Sequence, residues 1–147
     1  MKLQPGEMRI REFLNHLPPL IVYGLPNNLK DFMVIGPTTN LIKFHYGKPA
    51  IHYEVWVQRK RGIIEVGLHF EADTITNQKY LEALSQHFTE IQTSLGAEIE
   101  PEQWTESWTR IHLTMGFQTL DKNLAIKIAT KITKMIAVLQ PLLWAIK

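Results

Sequence analysis

Six histidines are spread through a chain of 147 residues, and three of them fall at alternating positions within apolar segments. His45, His52 and His69 each sit in a run where apolar and polar residues alternate. Neutral imidazole is a ligand for zinc, nickel, copper and iron and a base near neutral pH. Glu54 and Glu65 lie in the same kind of run and could complete a ligand set or accept a proton. Trp56, Trp108, Arg110 and His112 share that polar phase, and Lys43 extends it. Interleaved aromatic and basic groups of this sort can also stack on bases and pair with phosphates.

Other chemistries are excluded or unsupported. The chain has no cysteine, so it has no disulfide framework, thiol nucleophile, iron–sulfur ligand or Cys-based zinc finger. Its serines Ser85, Ser94 and Ser107 lack a G-x-S-x-G elbow, and its glycines form neither a phosphate loop nor a dinucleotide fingerprint. No H-E-x-x-H occurs. The start, MKLQPGEMRIREF, lacks the apolar stretch of a secretory signal. The apolar windows Leu20–Tyr23 and Ile136–Ile146 are short or interrupted by Pro141. Neither approaches the ~20 residues of a membrane span, so a cytoplasmic, membrane-free protein is expected.

Sixteen bases against fourteen acids give a net charge of +2, too weak by itself to imply nucleic acid. The charge is uneven: eight acids and only Lys79 lie between Glu71 and Glu106, whereas six bases and only Asp121 follow Ser107. Solvated helix faces of differing sign account for this more simply than a partner does. The same holds for the Lys127, Lys131, Lys134 stripe.

The elements that must position these groups follow from periodicity. Side chains in a strand point to opposite faces with a period of two. In 41–46, Ile42, Phe44 and Tyr46 alternate with Leu41, Lys43 and His45. In 51–58, Ile51, Tyr53, Val55 and Val57 alternate with His52, Glu54, Trp56 and Gln58. In 63–70, Ile64, Val66, Leu68 and Phe70 alternate with Ile63, Glu65, Gly67 and His69. Residues 108–115 alternate again, Thr109, Ile111, Leu113 and Met115 against Trp108, Arg110, His112 and Thr114. Turns are expected at Gly47-Lys48-Pro49 and Lys60-Arg61-Gly62. Apolar must oppose apolar, which pairs Phe44 with Tyr53, Ile42 with Val55, Val55 with Val66 and Tyr53 with Leu68. A bulge at Gly62 would break that scheme.

Thr76–Leu95 reads as one helix with Tyr80, Leu81, Leu84, Phe88, Ile91 and Leu95 on a face, capped by Thr76 or Asn77 and stopped by Gly96. Residues 97–103 read as an acidic turn around Pro101. Asp121 caps a long helix with the stripe Leu124, Ile128, Ile132, Met135, Ile136 and Leu139, which Pro141 bends or ends. Residues 1–37 form a proline-punctuated appendage: a short helix carrying Met8, Ile10, Phe13, Leu14 and Leu17, ended by Pro18-Pro19, then brief apolar runs.

The order of elements predicts an α+β protein: an antiparallel or mixed sheet of about four strands, two long helices on one face and a short N-terminal helical appendage. One domain, 1–147, is expected, with its sheet-and-helix core at 40–143. The aliphatic sheet face goes to the helices. His45, His52 and His69 then form one row on the outward face, with Lys43 beside Glu54 and Trp56 beside Glu65. Three rings on strands ~4.8 Å apart span nearly 10 Å, so one ion would need the outer two to lean inward. No metal, cofactor or catalytic residue is therefore assigned. The expected binding surface is His45, His52, Glu54, Trp56, Glu65, His69, Trp108, Arg110 and His112. An outward face is normally polar and wet. Tryptophans there favour cover by a second subunit or by residues 1–37.

Leu95-Gly96, Trp104, the run Trp108-Thr109-Arg110-Ile111 and the later Leu139-Gln140-Pro141 together resemble an uncharacterised conserved domain. That domain is found at the C-terminus of some restriction-system-associated proteins, and the resemblance spans Asn40 to Leu143. It implies no catalytic residues and points towards nucleic acid. The overall expectation is a non-catalytic interaction or regulatory module that self-associates as a dimer. The alternative is a metal-dependent or nucleic-acid-associated activity on the outward face.

Overall fold

The computed structural model describes residues 2–103 and 105–147. Trp104, one of the residues carrying the resemblance above, lies outside them. The protein is α+β, with a six-stranded antiparallel sheet in the order β1-β2-β3-β4-β6-β5. The strands are β1 (Met33–Ile35), β2 (Leu41–His45), β3 (Ile51–Gln58), β4 (Ile63–Phe70), β5 (Glu100–Gln103) and β6 (Thr109–Gly116).

The expected registers hold at every position named: Phe44 faces Tyr53, Ile42 faces Val55, Val55 faces Val66 and Tyr53 faces Leu68. No bulge forms at Gly62. It closes a short 3-10 turn over Arg59–Arg61 in the left-handed conformation (φ 64°), so the next residues pair directly, Gln58 with Ile63.

Two strands exceed the sequence expectation of about four. β1 comes from a short apolar run whose length could not reveal its type. β5 comes from the segment read as a turn. Pro101 does not prevent this, because β5 is an edge strand and a missing N–H is tolerated there.

The helices are α1 (Ile10–Asn15), α2 (Leu17–Gly24), α3 (Thr74–Ser85), α4 (Phe88–Leu95) and α5 (Lys122–Trp144). The first helix stops at Asn15, just ahead of Pro18 and Pro19, and these two open a second helix, in the first turn of α2, where N–H groups have no partner to lose. The helix expected over Thr76–Leu95 is broken in two. Asp73, not Thr76 or Asn77, caps its start by accepting from Thr76 N at 3.0 Å. The Ser85 hydroxyl donates back to the Leu81 carbonyl at 2.7 Å, competing with the backbone where α3 stops. Asp121 caps α5 as expected, accepting from Leu124 N at 2.9 Å. That helix runs through Pro141 to Trp144: the Ala137 carbonyl loses its i+4 donor there, and the buried Leu143 anchors the last turn in the core.

The core lies between the aliphatic sheet face and the helices. Val55, Val66, Leu68, Ile111, Ile128, Ile132 and Ile136 are all fully buried there. Phe70 stacks on Tyr80 of α3, and the Tyr53 hydroxyl donates to Gln140 of α5 at 3.0 Å. The appendage does not cover the outward face: α2 packs against α5 through buried Leu17 and Ile21, while β1 extends the sheet. Among the described residues no helix is long and apolar enough to cross a membrane.

Candidate functional site

Pairing turns the polar phase of each strand into rows on the outward face. One row is His45, His52, His69, Arg110 and Glu102, and the next is Lys43, Glu54, Gly67, His112 and Glu100. Trp56 stands opposite Glu65 in a third. The expected histidine row is therefore in place, with Lys43 beside Glu54.

The face is not wet at its centre. His52 and His69 have no exposed surface, Glu65 is 1% exposed and Glu54 4%. Lys43, Trp56 and Arg110, each partly exposed, stand in register around the cluster. Buried charges must be paired, and these are.

His52 Nδ1 donates to the Pro49 carbonyl at 2.8 Å, which directs Nε2 at Glu54 Oε1, 3.2 Å away. His69 has a carboxylate on each ring nitrogen: Glu65 Oε1 at 3.0 Å from Nε2 and Glu71 Oε2 at 3.2 Å from Nδ1. The two imidazoles stack at 5.5 Å with an 11° tilt. Glu65 also receives Arg110 at 3.4 Å; Arg110 reaches Glu102 at 2.8 Å, and His112 Nε2 meets Glu102 at 3.2 Å. Lys43 Nζ is 3.8 Å from Glu71.

Burial alone would lower the pKa of His69. Hydrogen bonds to Glu65 and Glu71, with the charges of Glu65 and Glu54, more than reverse this and raise it to about 9. Glu71 resists ionisation through burial, but His69, His52 and Lys43 hold its pKa below the ordinary value. His45 is lowered by burial and by the neighbouring charge of His52. Its Nδ1 accepts from Gly47 N, so it turns towards its own loop.

Of the nine residues singled out from sequence, His52, Glu54, Glu65, His69, Arg110 and His112 join one hydrogen-bonded or ion-paired network. His45 and Trp56 flank it by register. Trp108 lies just before β6 and is 37% exposed.

Three contributors escaped the sequence reading. Glu71 follows β4 by one residue, and the alternation Glu65, Gly67, His69, Glu71 would have placed it on this face had the strand been carried one step further. The signal was there as H-x-E twice, His52-Tyr53-Glu54 and His69-Phe70-Glu71. Glu102 was hidden in the segment read as a turn. Gly67 is needed because a Cβ there would stand 2.8 Å from the Cβ of His112 and 3.1 Å from Glu65 Oε1.

Imidazole nitrogens and carboxylate oxygens converge closely enough that His52, Glu54, His69 and Glu71 could hold a cation: one donor atom from each lies within 4.8 Å of all the others. Without one, the same groups form a buried ion-pair and proton-holding network. No family model, curated protein or solved structure matches this chain.

Proposed function

We propose that this protein is a non-catalytic interaction module that self-associates through the β1 edge of its sheet and the outward face beside it. The observation that carries this reading is the contrast between the two sheet edges. β5 is protected: Pro101 lacks an N–H, and Glu100 and Glu102 place charge on the edge. β1 is bare, with Met33, Val34 and Ile35 exposed by 59%, 42% and 38%. Opposite His45 and Lys43, Met33 and Ile35 stand on the outward face. A second copy related by a two-fold axis can pair β1 with β1 and cover these side chains. A cytoplasmic setting belongs to the same reading.

Light scattering across a concentration series tests it. The wild type is expected at twice the chain mass of 17.0 kDa, and the double variant Met33→Glu/Ile35→Glu at one chain mass with unchanged circular dichroism. A wild-type protein that stays at one chain mass throughout overturns the proposal.

Nucleic acid, the partner suggested by the resemblance to a domain of restriction-system-associated proteins, is not favoured. Glu54, Glu65, Glu71 and Glu102 occupy the face that would meet phosphate. A metal-dependent role has a specific observation behind it, the convergence of imidazole and carboxylate donors.

A further inference from the structure

We propose that His52, Glu54, His69 and Glu71 form a binding site for one divalent transition cation of the zinc class, held between β3 and the end of β4. The inference goes beyond self-association and rests on different residues.

The donor arrangement is the first ground. His52 and His69 are directly opposite in register, and each carries a glutamate two residues on, on the same face. Because the strands are antiparallel, the carboxylates flank the histidine pair from opposite ends and each spans both rings. Glu54 lies 3.2 Å from His52 Nε2 and 3.8 Å from His69 Nε2; Glu71 lies 3.2 Å from His69 Nδ1 and 3.8 Å from His52 Nε2. Zinc–nitrogen and zinc–oxygen bonds of ~2.0–2.2 Å put neighbouring tetrahedral donors about 3.4 Å apart. Closing from within 4.8 Å takes side-chain adjustment of about 1 Å, with no strand displaced.

The second ground is the state of His52. A backbone carbonyl only accepts, so the proton of neutral His52 sits on Nδ1, against Pro49. Its Nε2 lone pair then faces carboxylate oxygens of Glu54 and Glu71, acceptor against acceptor. Something positive must lie between them, a proton or a metal ion. A histidine fixed by an Nδ1–H to a carbonyl and presenting Nε2 is the usual arrangement of a metal ligand. His69 offers both nitrogens to carboxylates, Nε2 to Glu65 at 3.0 Å and Glu54 at 3.8 Å, and Nδ1 to Glu71 at 3.2 Å.

Charge is the third ground. The carboxylates of Glu54, Glu65, Glu71 and Glu102 face two permanent cations, Lys43 and Arg110, and a divalent cation that displaces the proton held on His69 pairs the remaining charge. Two imidazoles select against magnesium and calcium, and the absence of thiolate or thioether donors selects against copper(I).

The competing reading is a metal-free ion-pair network with protonated histidine. Cobalt(II), whose visible spectrum reports tetrahedral nitrogen and oxygen donors, separates the two. The test uses untagged full-length protein stripped with chelator and checked by mass spectrometry. The wild type is expected to take up one cobalt per chain, displaceable by zinc, and to melt higher with zinc present. Glu71→Gln and His52→Gln are each expected to weaken uptake at least about 10-fold. Glu102→Gln, in the same network but outside the four ligands, retains the one-to-one stoichiometry. Folded wild-type protein that shows no saturable uptake overturns the proposal, as does uptake unchanged in Glu71→Gln. If His52→Gln fails to fold, Glu71→Gln decides, because Glu71 sits at the margin of the cluster with its side chain 12% exposed. Chain mass measured on the same samples keeps this result separate from that of self-association.

Discussion

Glu65 holds two cations at once, His69 at 3.0 Å and Arg110 at 3.4 Å, with almost no contact with water. Removing one partner from a buried charge cluster costs more than the cluster contributes, because the remaining charges stay buried. Glu65→Ala is therefore expected to destabilise the protein by about 3–5 kcal/mol in urea denaturation, and Glu65→Gln by clearly less. A loss below 1 kcal/mol for the alanine variant would show that water reaches the site freely. Gly67 makes a second residue-scale prediction. Its added Cβ meets the Ile111 carbonyl at 3.0 Å as well as His112 and Glu65, and backbone cannot swing away. Gly67→Ala is expected to cost roughly 1–3 kcal/mol, seen as a lowered melting temperature. At this scale alternation told which side chains share a face. It did not tell that Glu71, just after β4, and Glu102 of β5 would close on the cluster, since rotamers and the end of a strand are settled by neighbours.

At the scale of elements, the caps and edges carry the consequences. Asp121 satisfies the N-terminal Leu124 N–H of the longest helix, so Asp121→Ala is expected to cost about 1 kcal/mol. The edge strand β5 is tied to β6 by Glu102. Partial burial opposes ionisation of its carboxyl, but hydrogen bonds from Arg110 and His112, with the charge of Arg110, outweigh this and hold its pKa below the ordinary value. A carboxylate with a depressed folded-state pKa stabilises above its unfolded value, and that contribution fades as pH falls through the folded one. The wild type is therefore expected to lose stability below about pH 4.5 more steeply than Glu102→Gln. Melting curves from pH 7 to pH 3 check this, and parallel acid limbs would remove Glu102 from the account. What a proline forbids depends on which N–H is needed: at the start of α2 and at the edge strand β5 that N–H is dispensable, whereas Pro141 withholds a donor from the Ala137 carbonyl and α5 continues past it with Leu143 buried in the core.

For the whole molecule, the α2–α5 contact joins residues 1–37 to the rest. Leu17 and Ile21 are fully buried, and Gly24 approaches Thr133 so closely that a Cβ there would lie 3.0 Å from its methyl group. If the appendage belongs to one cooperative unit, Ile21→Ala lowers the stability of the entire chain by about 2–4 kcal/mol and leaves a single unfolding transition. A two-step transition, with the sheet surviving the first step, would separate the appendage from the core. The one-sided distribution of helices also explains the outward face. The aliphatic face is given to α2–α5, and the polar groups of the other face pair with one another and with the Pro49 carbonyl.

The amino-acid sequence by itself determined the central sheet: its alternation, the register of β2, β3 and β4, and the side on which His52, Glu54, Glu65 and His69 must stand. A slip of one residue would have put aliphatic side chains in water. Tertiary structure alone decided the strand order around β6, the recruitment of β1 and β5, the docking of the appendage on α5, and the closure of Glu71 and Glu102 onto the histidines. Those choices depend on contacts between segments far apart in the chain, where local periodicity carries no information and packing selects among arrangements of equal local merit.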